Sequence, residues 1–155
     1  MGDSMRIVVQ NVVSAEVRIH DKTVGHIGRG FLLFVGFTQG DDEALCRLMA
    51  EKVVGLRLFN DERGLTNLSI DDIHGEILSV SQFTLYGDVV KGRRPSFTHA
   101  LAPLEATHLY DYFNECLETL RGPIQKGVFG GDMKVSLIND GPFTLMLDSK
   151  ELYGK

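Results

Sequence analysis

The stretch Glu76-Ile77-Leu78-Ser79-Val80-Ser81-Gln82-Phe83-Thr84-Leu85-Tyr86-Gly87-Asp88 runs from an apolar segment straight into a cluster of hydrogen-bonding side chains. Glu76 to Val80 reads as a buried strand. Period-two alternation, continued, puts Ser81, Phe83 and Leu85 on one face and Gln82, Thr84 and Tyr86 on the other, with Gly87 ending the strand. Polar side chains at the end of a buried strand are costly unless they are hydrogen-bonded or face a pocket. The residues by themselves leave two readings open: a strand that simply leaves the core, or the wall of a site.

A second stretch bears on the choice. Asn139-Asp140-Gly141-Pro142-Phe143-Thr144 lies between two β-like runs, Met133 to Ile138 and Phe143 to Leu147. Asn, Asp and Gly tolerate positive φ, so the spacing predicts a hairpin turn there. Pro142 cannot donate a ladder hydrogen bond and restricts Gly141 before it. Either isomer of the Gly141-Pro142 bond is compatible with the residues.

The bulk properties narrow the class. The chain has 155 residues, 43% hydrophobic and 24% charged, enough for one domain with a real core. No apolar run approaches the roughly 20 residues needed to cross a bilayer. The start, Met1-Gly2-Asp3-Ser4-Met5, has neither a basic nor an apolar region, so no secretory signal is expected. Residues 1–4 read as an extension or cloning remnant ahead of a single domain over 5–155. Cys46 and Cys116 each fall in a predicted helix and read as buried apolar thiols, as a reducing cytoplasm allows. No Cys or His spacing fits a zinc site, no cofactor is expected, and none of the five histidines is expected to be catalytic. The net charge of −5 argues against a broad phosphate-binding surface. The dense basic cluster Lys91-Gly92-Arg93-Arg94 is either a solvated loop or a local phosphate contact.

Along the chain, Arg6 to Val13 reads as a strand. Ala15 to His20 is a half-buried one, with Ala15, Val17 and Ile19 inward. Thr23 to Ile27 pairs back, and Phe31 to Val35, continuously apolar, is a central strand. An acidic start at Gly40-Asp41-Asp42-Glu43 opens a helix ending near Gly55. Short strands are expected at Leu56 to Phe59 and Asn67 to Ile70. Pro103 opens a second helix with the stripe Leu109, Phe113, Cys116, Leu117 and Leu120, stopped by Gly122-Pro123. The glycines of Gly127 to Gly131 lead into the final hairpin and are no dinucleotide fingerprint, because no helix pattern follows.

Taken together, Ser81-Gln82-Phe83-Thr84 and Asn139-Asp140-Gly141-Pro142-Phe143-Thr144 resemble the two signatures of the D-aminoacyl-tRNA deacylase family. The likeness extends from Met5 to about Asp148 through Arg6-Ile7-Val8-Val9-Gln10, Leu56-Arg57-Leu58-Phe59, Arg93-Arg94-Pro95-Ser96-Phe97 and Asp132-Met133-Lys134-Val135-Ser136-Leu137. It implies a mixed α/β, β-rich domain with antiparallel sheets in a barrel-like arrangement and two packed helices. It also implies hydrolysis of the ester of D-aminoacyl-tRNA in the cytoplasm, by a homodimer that needs no membrane. Ser81, Gln82, Phe83 and Thr84 then become the candidate catalytic residues. Gly141 and Pro142, joined by a cis bond and reaching into the partner's site, together with Met133 and Phe129, become the substrate-binding ones. Lys91, Arg93 and Arg94 are candidate tRNA contacts.

Neither signature holds a base beside a nucleophile. Thr84 can therefore act as a nucleophile only if activated, whereas the backbone N–H groups around Phe83 and Thr84 can hold an oxyanion while water attacks. Fixed Gly-Pro carbonyls would exclude an L side chain but not glycine, so glycyl-tRNA is an expected substrate. Asn11 stands where most relatives have an arginine that holds the Gly-Pro loop, and Phe143 replaces a more usual valine. Two other readings are a nucleic-acid-binding module and a deacylase of relaxed chirality acting on L-alanyl esters.

Overall fold

The computed structural model describes residues 4–155. The expected extension lies outside the described residues except for Ser4, which is fully buried and whose carbonyl accepts from the Tyr86 hydroxyl at 2.5 Å.

One long strand organises the sheet. Strand β1, Arg6–Ile19, takes in both of the runs expected separately. It turns at His20 and Asp21, both at positive φ, into β2, Lys22–Ile27, and β3, Gly30–Gly36, which pair with it antiparallel one after the other. Strand β6, Glu76–Ser81, lies parallel to β3, and the two-residue β7, Gln125–Lys126, lies parallel to β6. A separate small ribbon pairs β4, Phe59–Asn60, with β5, Thr66–Leu68, each shorter than or displaced from its expected range. The expectation of antiparallel sheets is corrected here: the main sheet is mixed. It curls until β2 meets β7, where the His26 N–H donates to Gln125 Oε1 at 3.4 Å, leaving a nearly closed barrel.

Alternation along these strands feeds two cores. Phe31, Leu33, Val35 and Ile77 join one with helices α1, Glu43–Gly55, and α2, Pro103–Arg121. Leu32, Leu78 and Val80 join the other with Val12, Ala15, Val17 and Ile27. Being packed on both faces is why Phe31 to Val35 is apolar without a break. Helix α1 is capped as its acidic start requires, Asp42 Oδ1 accepting from the Leu45 N–H at 2.9 Å. The α2 stripe is shifted from the expected one: Ala106, Leu109, Tyr110, Phe113, Asn114 and Leu117 are buried, whereas Leu120 is exposed and Cys116 only half-buried. A third helix, α3, Ser149–Tyr153, is additional to the two expected.

The predicted hairpin at Asn139 to Thr144 does not form. Lys134–Asp148 is one strand, β8, and both of its halves pair antiparallel with β1. Val12 faces Asn139 and Gln10 faces Thr144, so residues 140–143 leave the ladder as an excursion opposite a single β1 position. The local turn chemistry is sound, but a partner strand long enough to hold both flanks turns the hairpin into a bulge.

Candidate active site

Where β3, β6 and β7 end, the chain opens a cavity of about 640 Å³. The three strands are parallel, so their C-terminal ends, and the loops that leave them, share one rim. Val35 to Phe37 come from the end of β3, and Val80 to Phe83 from the end of β6. Phe129 to Asp132 come from the loop after β7, with Met133 and Val135 leading into β8. Phe97 and Ala100 to Pro103 close the fourth side ahead of α2. Among the described residues, Asp132 is the one charged side chain in this lining.

The Ser81 to Tyr86 segment departs from the expected alternation. Strand β6 stops at Ser81, and Phe83–Tyr86 forms a single 3₁₀ turn. The cause is non-local. The Tyr86 hydroxyl is drawn into the core, where it serves the carbonyls of Ser4 and Gly36 at 2.5 and 2.9 Å. Its phenol is pushed up by burial. Gly36 makes room for the turn: a Cβ there would lie 2.8 Å from the Tyr86 ring and 3.1 Å from the Gln82 carbonyl. Arg6 steadies the other side, donating to the Leu85 carbonyl at 3.0 Å with its guanidinium 5.2 Å over the Tyr86 ring.

The turn sets the chemistry available. The Gln82 N–H is used by the Val35 carbonyl at 2.8 Å, and the Leu85 N–H reaches back to the Gln82 carbonyl at 3.3 Å. The N–H groups of Phe83 and Thr84 fall between them, at the start of the turn, where a 3₁₀ segment cannot satisfy its own donors. Gln82 Nε2 donates to Thr84 Oγ1. Phe83, 55% exposed, meets the edge of Phe97, with ring centroids 5.0 Å apart at 66°.

Of the residues singled out from the sequence, Ser81, Gln82, Phe83, Phe129 and Met133 line the cavity. Thr84 is exposed just beyond it. Lys91, Arg93 and Arg94 stand exposed on a loop closed by the Asp88–Ser96 backbone pair, directly before Phe97. Gly141 and Pro142 are not in this cavity. Their peptide bond is cis, as the resemblance implies, with Gly141 at φ +132°, and both residues are exposed. The cross-strand register runs from Thr144 through Gln10 and Leu32 to Leu78. Three strand spacings and three residues along β6 then separate Thr144 from Ser81 by about 17 Å along the sheet.

Asn139 holds the excursion: its Oδ1 accepts from the Phe143 N–H at 2.8 Å, and its Nδ2 donates to the Phe143 carbonyl at 3.1 Å. Thr144 Oγ1 accepts from Gln10 Nε2 at 3.1 Å and from Asn139 Nδ2 at 3.3 Å. Asn11 turns away, donating to the Leu58 carbonyl at 2.7 Å. Among the described residues, Asn139 and Gln10 supply the side-chain hydrogen bonds that anchor the loop and its exit at Thr144.

Sequence reasoning missed Phe37, Phe97 and Ala100 to Pro103. The one available signal was Pro95-Ser96-Phe97, an aromatic in a polar, basic loop.

Comparison with known proteins identifies the family. The profile of the family described as D-Tyr-tRNA(Tyr) deacylase matches residues 8–148. A D-aminoacyl-tRNA deacylase of Lactobacillus acidophilus is 53% identical over 144 residues, covering 93% of this chain and 99% of the relative. One of Thermotoga petrophila is 51% identical over 149 residues, covering 96% and 100%. The solved structure of a c-Myc DNA Unwinding Element Binding Protein matches with a TM-score of 0.86 at 38% identity, covering 92% of this chain and 97% of that one. A probable eukaryotic D-amino acid tRNA deacylase shares the fold, with a TM-score of 0.80 at 21% identity over 94% and 99% of the two chains. The chain belongs to the D-Tyr-tRNA(Tyr) deacylase family, and it is an enzyme of the D-aminoacyl-tRNA deacylase type.

Proposed function

We propose that the cavity at the ends of β3, β6 and β7 holds the aminoacyl ester of tRNA, and that a second copy of the chain completes it with Gly141 and Pro142. One observation carries this reading. The two signature stretches stand about 17 Å apart along the sheet of one chain, one in a cavity and the other exposed at the sheet edge. A loop held this firmly by Asn139 cannot swing to its own cavity, but it can enter that of a symmetry-related copy.

Water attacks the ester carbonyl carbon, and the oxygen that gains the negative charge is received by the N–H groups of Phe83 and Thr84. The bond to the terminal ribose oxygen then breaks. That oxygen takes up a proton, and free D-amino acid and tRNA leave. Thr84 is not the nucleophile in this scheme. Activation requires an acceptor for its hydroxyl proton, whereas the partner in place, Gln82 Nε2, donates to its oxygen.

Backbone carbonyls of residues 141 and 142 form the chiral wall. A thousandfold rejection of the L ester corresponds to about 4 kcal/mol, and a wall fixed at both ends by hydrogen bonds supplies it better than a mobile side chain. Such a wall has nothing to exclude in glycine, so glycyl-tRNA is also hydrolysed. Lys91, Arg93 and Arg94 meet backbone phosphates of the acceptor end, a small contact set that suits a chain of net charge −5. The protein works in the cytoplasm, where charged tRNA is used.

The test uses matched D-Tyr-tRNA and L-Tyr-tRNA together with mixing of two inactive variants. One variant carries a blocked cavity, the other an altered 141–142 loop. Random re-pairing gives half heterodimers, each with one intact site of two, so activity returns to about a quarter of the parent. No recovery after re-pairing of a protein shown to be dimeric overturns the shared site, and equal hydrolysis of the two esters overturns the chiral role.

A further inference from the structure

Thr38 stands behind the cavity without lining it. It is 1% exposed and follows Phe37, which does line it. Its hydroxyl donates to the His99 carbonyl at 2.5 Å. Its backbone forms an antiparallel bridge with Ala100, and next to it the Leu101 N–H donates to the Phe37 carbonyl at 3.0 Å. On its other side Thr38 is held by Asp41, whose Oδ2 accepts from the Thr38 N–H at 2.8 Å. The segment fastened this way is the fourth cavity wall, which lies outside every strand and helix until α2 begins at Pro103. Its first aromatic, Phe97, rests edge-on against Phe83, and the Ala100 N–H closes a turn onto the Phe97 carbonyl at 3.0 Å.

From this geometry we infer that Thr38 is a positioning residue for the deacylation reaction: it clamps the 97–102 wall to the end of β3 and so keeps Phe97 seated on Phe83 at the cavity mouth. The inference rests on the reading that the ester is bound in this cavity. A buried β-branched side chain would fill the space equally well as valine. What valine lacks is the hydroxyl that donates to the His99 carbonyl, so Thr38→Val removes one of the bonds that tie the wall to the end of β3. The wall would then open, and substrate binding would weaken before the chemical step does.

The experiment compares Thr38→Val and Thr38→Ser with the parent by steady-state hydrolysis of D-Tyr-tRNA and by amide hydrogen exchange. Thr38→Val is expected to raise KM about tenfold with kcat within about twofold, while Thr38→Ser stays within about twofold of the parent in both. Exchange at the Leu101 amide is expected to quicken about tenfold in Thr38→Val, with the amides of α1 unchanged. Adding Phe97→Ala to Thr38→Val should raise KM little further, because the two act through one wall. Parent-like KM and exchange in Thr38→Val overturn the inference. So does loss of protection throughout α1, which would make Thr38 a stability residue only. If the parent itself leaves D-Tyr-tRNA intact, the cavity reading fails, and Leu101 exchange still decides the clamp.

Discussion

Replacing Asp41 with asparagine should stabilise the protein at neutral pH and remove a pH dependence. Asp41 follows the turn after β3, and its Oδ2 accepts from the Thr38 N–H at 2.8 Å. Burial pushes its carboxyl up to about 6 from the ordinary 3.8, the Thr38 hydrogen bond opposing this and the Asp42 charge adding to it. Between those two values the folded chain binds more protons than the unfolded one. Stability from this group is therefore fully present below about pH 4, is lost as pH rises through about 6, and stays lost above it. Two pKa units correspond to about 3 kcal/mol at 1.36 kcal/mol per unit, and solvent screening of a partly exposed carboxyl reduces that to about 1–2 kcal/mol. The amide of the Asp41→Asn variant keeps an oxygen for the Thr38 N–H and carries no charge to desolvate. The variant should exceed the parent by about 1–2 kcal/mol at pH 7.5, roughly 2–8 °C in Tm for a chain of this size, and match it near pH 4. Urea unfolding from pH 4 to 7.5 measures the difference. Asp61, Asp72 and Asp132, all held below the usual carboxylate range by hydrogen bonds, slope the other way at acid pH but are common to both proteins and cancel. An offset that does not change with pH, or none at pH 7.5, would refute the account.

Tyr86→Phe removes the donor shared by the Ser4 and Gly36 carbonyls, and should lower unfolding stability by about 1–3 kcal/mol; an unchanged urea midpoint would count against the non-local origin of the 3₁₀ turn. Thr84→Ala should keep kcat within about tenfold of the parent, the loss expected of a lost positioning contact; a folded but inactive variant would restore Thr84 as the nucleophile. Glycyl-tRNA should be hydrolysed by excess enzyme while L-alanyl-tRNA is spared, and equal survival of both would contradict a steric wall.

What can be read from the sequence is whatever neighbouring residues decide. Ala15, Val17 and Ile19 alternate because one face of β1 is packed, and Phe31 to Val35 do not alternate because both faces of β3 are. The acidic start of α1 and the Gly122-Pro123 stop of α2 are likewise local, and both stand in their expected places. The misreadings share a cause. Asn139 to Pro142 carries good turn chemistry, but whether the flanks pair with each other or with a third strand depends on the length of β1. The alternation from Ser81 onward ends because Tyr86 has acceptors at Ser4 and Gly36, 82 and 50 residues away. Strand β7 has only two residues and exists because β6 presents an open edge to it.

The same distinction governs the site. The Ser81 to Thr84 segment is recognisable by its residues and lies at the cavity. Phe37, Phe97 and Leu101 carry no chemistry of their own and become wall only where the ends of parallel strands meet. An antiparallel pairing of β3 with β6 would send their following loops to opposite ends of the sheet. Parallel pairing of Val35 with Ser81 instead brings the turn after β3 and the 3₁₀ turn after β6 to one rim, and β7 adds the Gly127 to Gly131 loop beside them. The position of the cavity thus follows from strand direction, and its contents follow from which residues the chain places in the next few positions after each strand.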